Sequence, residues 1–219
     1  MPVMPASPAE RPKMATKVAM ALSLALCLAA AVFLAFPSPG SAQQVTQTMV
    51  ALARAEDAHA LGDNLTALNS IREAEEALWN SSPLGIRNVV FVTEQPEKYG
   101  FYSPKVGEDF TEDEPLILYC EPIGYTQPKG ADGTYSISIV PSIHVINSQG
   151  QVLGGEPRPA ETMAGHRSFV TEFMLVSTIS IRGLPQGTYT LKLTLTDNND
   201  PTKSVEVEKV FNWQPADVS

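Results

Sequence analysis

Cys120 and His144 form the sharpest pairing of reactive side chains in the sequence, because a thiol and an imidazole carried on two strands of one domain are the parts of a nucleophilic couple. Their surroundings point to a quieter role. In "EPLILYCEPIGY", Leu116, Leu118 and Cys120 share one face of a strand, which makes Cys120 a small buried hydrophobe without an activated thiolate. His144 sits between Ile143 and Val145 and therefore faces the other way, toward solvent. Neither a GxSxG elbow nor an HExxH helix occurs, so a non-enzymatic protein is expected, with a Cys–His enzyme as an alternative.

Met163 and His166, in "MAGH", place a thioether and an imidazole three residues apart, and Met174 adds a second thioether further on. Soft ligands of this kind suit an exported copper carrier, which is the second alternative; the expectation is an ordinary flexible loop and no cofactor. The run "GEDFTEDEP" gathers Glu108, Asp109, Glu112, Asp113 and Glu114 without matching a DxDxDG calcium loop. It reads as a solvated acidic turn, or as a docking surface for a basic partner. "DNND", Asp197 to Asp200, reads as a hairpin turn. In "EKYGFYSP", Tyr99, Phe101 and Tyr102 fall in a connection, and Tyr125 falls in another. Aromatics outside a core supply contact area at little entropic cost, so these four are the candidate ligand-binding residues. The alternative is that they fold back as a lid on the sandwich edge.

These groups sit on a chain with an export address. Arg11, Lys13 and Lys17 precede an apolar run from Val18 to Phe36, and Pro37 to Ala42 then offers a helix-breaking stretch with small residues at its end. Cleavage after Ala42 is expected, with an uncleaved anchor as the alternative and Met14 as a second possible start. Cys27 follows Leu26 where a lipid-attachment motif needs a small residue. Beyond residue 42 the single cysteine is Cys120, so the exported part has no internal disulfide and relies on core burial. Taking Arg11, Lys13, Lys17 and Glu10 from the totals of 15 basic and 24 acidic residues leaves 12 and 23, a formal balance of −11. Phosphate backbones and anionic membranes require the opposite sign. The expected partner is an envelope protein or a peptide or glycan ligand, not nucleic acid, and a membrane only if the address segment is retained.

Two periodicities divide residues 43–219. Val45, Met49, Leu52 and Ala55, then Ala67, Ile71, Ala74 and Leu78, recur at helical spacing and predict a helical hairpin over residues 43–82, turned at Gly62-Asp63-Asn64. From Arg87 the period becomes two. Strands are predicted at Asn88–Thr93, Pro115–Cys120, Thr134–Val140, Ile143–Ile146, Gln151–Leu153, Ser168–Ile181, Thr188–Thr196 and Ser204–Trp213. Such a density of strands predicts two packed antiparallel sheets over residues 83–219, a mainly β protein with an α-helical hairpin in front.

The stretch "GDNLTALNSIREAEEAL" resembles the second half of a tetratricopeptide repeat, though only one unit is visible and such units bury their faces by stacking. "LPQGTYTLKL" resembles the turn-and-strand segment of bacterial immunoglobulin-like and fibronectin-type domains. That resemblance implies an Ig-like antiparallel β-sandwich in which Tyr189 ties down the corner. The whole arrangement is similar to a group of exported bacterial proteins of uncharacterised activity, periplasmic or secreted, and implies a fold rather than a reaction.

Overall fold

The computed structural model describes residues 39–156 and 162–215, and Gly40–Ser219 form one compact unit. The expected address segment, residues 1–42, lies outside the described residues except at its end. There, α1 (Pro39–Ala60) already includes Pro39 to Ala42. Proline lacks an N–H that is unpaired in the first turn of a helix anyway, so the stretch expected to break a helix opens one.

A turn at Gly62 joins α1 to α2 (Asn64–Ser81), whose N-terminus is capped by Asp63: its carboxylate accepts from Thr66 N at 3.1 Å and Thr66 Oγ1 at 2.7 Å. Arg54 and Glu73 form an ion pair at 2.6 Å between the two helices. The predicted apolar stripes are corrected in part. Small residues are the ones buried, Thr48, Ala51, Ala55 and Ala58 on α1 with Ala67, Ser70 and Ala74 on α2, because short side chains let helix axes approach closely. Val45, Met49, Leu52, Leu68, Ile71 and Leu78 remain 44–63% exposed. Trp79 fastens the hairpin to the strands. Its Nε1 donates to Tyr125 O at 2.9 Å, and its ring meets Tyr125 and Phe169 edge-on at centroid distances of 5.0 and 6.1 Å.

Among the described residues nine strands follow: β1 (Gly85–Val92), β2 (Asp109–Thr111), β3 (Leu116–Ile123), β4 (Tyr135–Ile146), β5 (Val152–Glu156), β6 (Thr162–His166), β7 (Leu175–Ile179), β8 (Gly187–Asp197) and β9 (Ser204–Gln214). They build a small sheet in the order β1-β3-β7 and a large one in the order β2-β9-β8-β4-β5, with β6 also on β4. All pairings are antiparallel except β2 with β9. The two sheets pack face to face as a sandwich behind the two helices. Between them lie Leu116, Leu118 and Cys120 from β3, Ile137, Ile139, Ile143 and Val145 from β4, Leu191, Leu193 and Leu195 from β8, and Phe211 and Trp213 from β9. The expected tyrosine corner is present: Tyr189 Oη donates to Pro185 O at 2.8 Å and its ring stacks on Phe211.

Three strand predictions are corrected. β4 runs unbroken through Pro141, because β6 pairs with it only as far as Ile139 and β5 only from Ile143, and the gap between them is the edge condition a residue without an N–H tolerates. The acidic run contains a strand, β2, whose Phe110 is buried in the core. The long strand expected over Ser168–Ile181 is ordered as a strand only over β7.

Candidate functional site

Two sheets of unequal width cannot cover one another. Among the described residues the small sheet ends at β7, and residues of β4 and β5 on the large sheet line the space beside it. Along β7 the alternation is regular: Leu175 is in the inter-sheet core with Ile179 and Ile181 packed against it, while Met174 and Val176 pack on the opposite face of the small sheet. A groove of about 590 Å³ opens beside this strand.

The way each strand lines the groove identifies what bounds it. From β4 come alternate residues, Pro141, Ile143 and Val145, as expected when the face of a strand forms a floor. From β7 and its continuation come all eight consecutive residues from Leu175 to Arg182. Lining by residues of both faces is what a strand edge presents, and with its other side on β3 the free side of β7 forms one wall of the groove. The far wall is β5, where Leu153 is half exposed. Gly155 lets β5 approach: its φ is +152°, and a Cβ there would fall 2.1 Å from Ile143 O. β7 pairs with β3 on one side, and among the described residues nothing pairs with its other side. Arg182 stands at the end of the wall and has no ion pair among the described residues. An apolar floor, a polar backbone wall and one terminal cation make a site for non-covalent recognition.

The aromatic candidates are placed differently from one another. The segment after β1 folds back over the outer face of the small sheet, pinned by Thr93 N donating to Ser103 O and Lys105 N donating to Phe91 O. Tyr102 lies over Tyr119 with ring centroids 4.4 Å apart, and its hydroxyl accepts from Asn88 Nδ2 at 2.7 Å. Tyr99 Oη accepts from Arg87 Nη1 at 2.9 Å and donates to Glu121 Oε2 at 3.1 Å. Tyr119 Oη donates to the other oxygen of Glu121 at 2.8 Å and accepts from Gly100 N at 2.9 Å. Burial in this stack, with Glu121 beside it, pushes the Tyr119 phenol up to about 12 and raises Tyr99 as well. Tyr99 and Tyr102 thus serve as a lid, and Phe101, 76% exposed, is the one of the three turned to solvent. Tyr125 is corrected outright as a contact residue. It is 0% exposed, and its hydroxyl donates to Val170 O at 2.9 Å, so it is part of the core that holds Trp79.

The remaining candidates are separated. Cys120 points into the inter-sheet core, where burial raises its thiol to about 12, whereas His144 lies on the outward side of β4 between two core residues. "MAGH" is not a loop but lies within β6, paired with β4, so Met163 and His166, three residues apart on a strand, point to opposite faces. Met174 packs against Tyr119 on the outer face of the small sheet. Among the described residues no three His, Cys, Asp or Glu side chains gather as a metal site. Three carboxylates of the acidic run bind the chain itself: Glu114 pairs with Lys105 at 3.1 Å, Glu112 accepts from Gly183 N, and Asp109 accepts from Asn212 Nδ2. "DNND" is the β8–β9 turn, and it also reaches across the fold. Asp197, fully buried, accepts from Thr126 N at 2.6 Å, and Asn199 Nδ2 donates to Thr126 O and Ser136 O.

Neither a protein-family model nor a curated protein matches the chain. Among solved structures, it is similar to CopC from Methylosinus trichosporium OB3b, at 13% identity and a TM-score of 0.28, over 60% of this chain and 99% of that one. At that distance no residue, ligand or activity carries over.

Proposed function

We propose that this protein is an exported, non-enzymatic binding module of the cell envelope, and that it binds through the groove between β7 and the inner face of β4 and β5. The observation that carries the reading is the way the groove is lined, by alternate residues of β4 but consecutive residues of β7. A site bounded by a strand edge and an apolar floor offers hydrogen bonds and buried area, and the serine and threonine hydroxyls that line it have no His, Asp, Glu or Lys beside them in the lining to activate them. The separation of Cys120 from His144 supports the absence of catalysis, and the charge balance supports a partner other than nucleic acid. The basic residues ahead of an apolar run support export to the periplasm or beyond.

A photo-crosslinking residue placed at Ser180, on the exposed mouth of the groove, tests this in intact envelopes, with the same group at Glu208 on the exposed face of β9 as the control. A discrete adduct at position 180 and none at 208 is expected. No adduct at position 180, or the same adducts at both, would overturn the assignment of binding to the groove.

A further inference from the structure

We infer that the ligand of the groove is an extended polypeptide segment that adds to β7 as a fourth strand of the small sheet. This deepens the binding reading and rests on it.

The chemistry of each wall specifies the ligand. β7 is joined to β3 from Leu175↔Cys120 to Ile179↔Leu116, which commits one side of its backbone. Its other side lines the groove without a partner among the described residues, so alternate N–H and C=O groups face the cavity at the spacing of a β-ladder. A lipid tail has no groups to pair with such a row and a sugar's hydroxyls do not repeat at its spacing, whereas an extended peptide matches it group for group. The floor then sets the side chains. Neighbouring strands lie roughly 4.8 Å apart and facing sheets about 10 Å apart, so a strand hydrogen-bonded to β7 lies directly over Ile143 and Val145. Every second residue of that strand points down onto these two and toward Leu153, and the others point outward beside Val176 and Thr178. The five residues of β7 limit the paired length to roughly 17 Å. The expected ligand is therefore a segment of five to seven residues, apolar at alternate positions, free of proline, and tolerant of a carboxylate near Arg182.

The test uses the purified chain and fluorescent seven-residue peptides that alternate serine with valine, leucine or phenylalanine, titrated by anisotropy. Saturable binding of at least one of the three is expected. N-methylating the alternate amides on one edge of that peptide removes backbone donors without altering any side chain, and this is expected to weaken binding about tenfold or more, the equivalent of one or two lost hydrogen bonds. Methylating the opposite edge is expected to leave affinity within about twofold, since those amides face solvent. Ser180→Trp, an exposed position that fills the mouth of the groove, is expected to weaken binding about tenfold while the melting temperature stays put. Equal losses from the two methylation patterns, or no binding of any peptide, would overturn strand addition. If laurate then binds and Ser180→Trp abolishes it, the groove is a ligand site but for an apolar anion, so strand addition fails while the binding reading stands. If neither peptide nor laurate binds and the crosslink at position 180 is also absent, both fail.

Discussion

Cys120 shows how a single residue's chemistry is decided by its neighbours. The sequence places it on the Leu116–Leu118 face of a strand, and the structure leaves it 2% exposed between the two sheets. Its thiol rises from 9.0 to about 12 because burial penalises the thiolate first, with the charge of Glu121 adding to it. Both the folded and the unfolded chain hold a neutral thiol below pH 9.0, so the native state is at full strength there. Above that value the unfolded chain ionises and the folded one does not, so stability falls as pH rises toward about 12. Tyr119 adds to the same alkaline loss between 10.0 and about 12. Urea midpoints measured between pH 8 and 11 are expected to fall with pH, and to fall less steeply in Cys120→Ala. Labelling of Cys120 by a thiol reagent in the native state at pH 8, at the rate of a free thiol, would contradict its burial. Tyr125 marks the limit of reasoning from residue type. It lies in a connection, as expected, but the connection runs inward, because Trp79, 46 residues earlier in the chain, needs its carbonyl and ring.

At the scale of elements, legibility followed the strength of the local pattern. β8 and β9 alternate cleanly, Tyr189, Leu191, Leu193 and Leu195 inward against Thr190, Lys192 and Thr194 outward, and both strands were readable from one end to the other. β2 was hidden because three residues carry no period and its neighbours are acidic; β6 was hidden because "TMAGH" has little β-forming character and is held by β4 rather than by its own preference. The hairpin was found, but not its seam. Helical spacing alone does not distinguish a stripe of alanines that packs from a stripe of leucines that does not, and here the alanines pack. This leads to an unequal pair of outcomes. Trp79→Ala is expected to cost about 3–5 kcal/mol, since it empties a site against Tyr125 and Phe169. Leu68→Gln and Ile71→Gln, on the exposed side, are expected to stay within about 0.5 kcal/mol of the parent in chemical denaturation. A large loss from the two glutamine variants would mean that this face is covered.

At the scale of the whole molecule, the groove exists because three strands face a wider sheet, and no local signal in one sequence reports which strand ends a sheet. The run from Met174 to Ile181 reads as a strand whether it is central or at an edge; it is the pairing of β7 with β3 alone, among the described residues, that makes it an edge. The aromatic loop drew attention in the sequence for the opposite reason, since its composition is conspicuous while its position, as a lid over Tyr119 and Glu121, is set by hydrogen bonds between distant residues. The central claim is that β7 offers an unpaired backbone edge to the groove, and backbone amide hydrogen exchange of the ligand-free chain, resolved residue by residue by NMR, tests it most directly. Along β7 from Leu175 to Ile179, amides directed at β3 are expected to exchange slowly and the alternate ones, directed into the groove, rapidly, while every ladder amide of the central strand β3 is protected. Uniform slow exchange along β7, on both sides of the strand, would contradict it, because the edge would then already be paired and the groove closed.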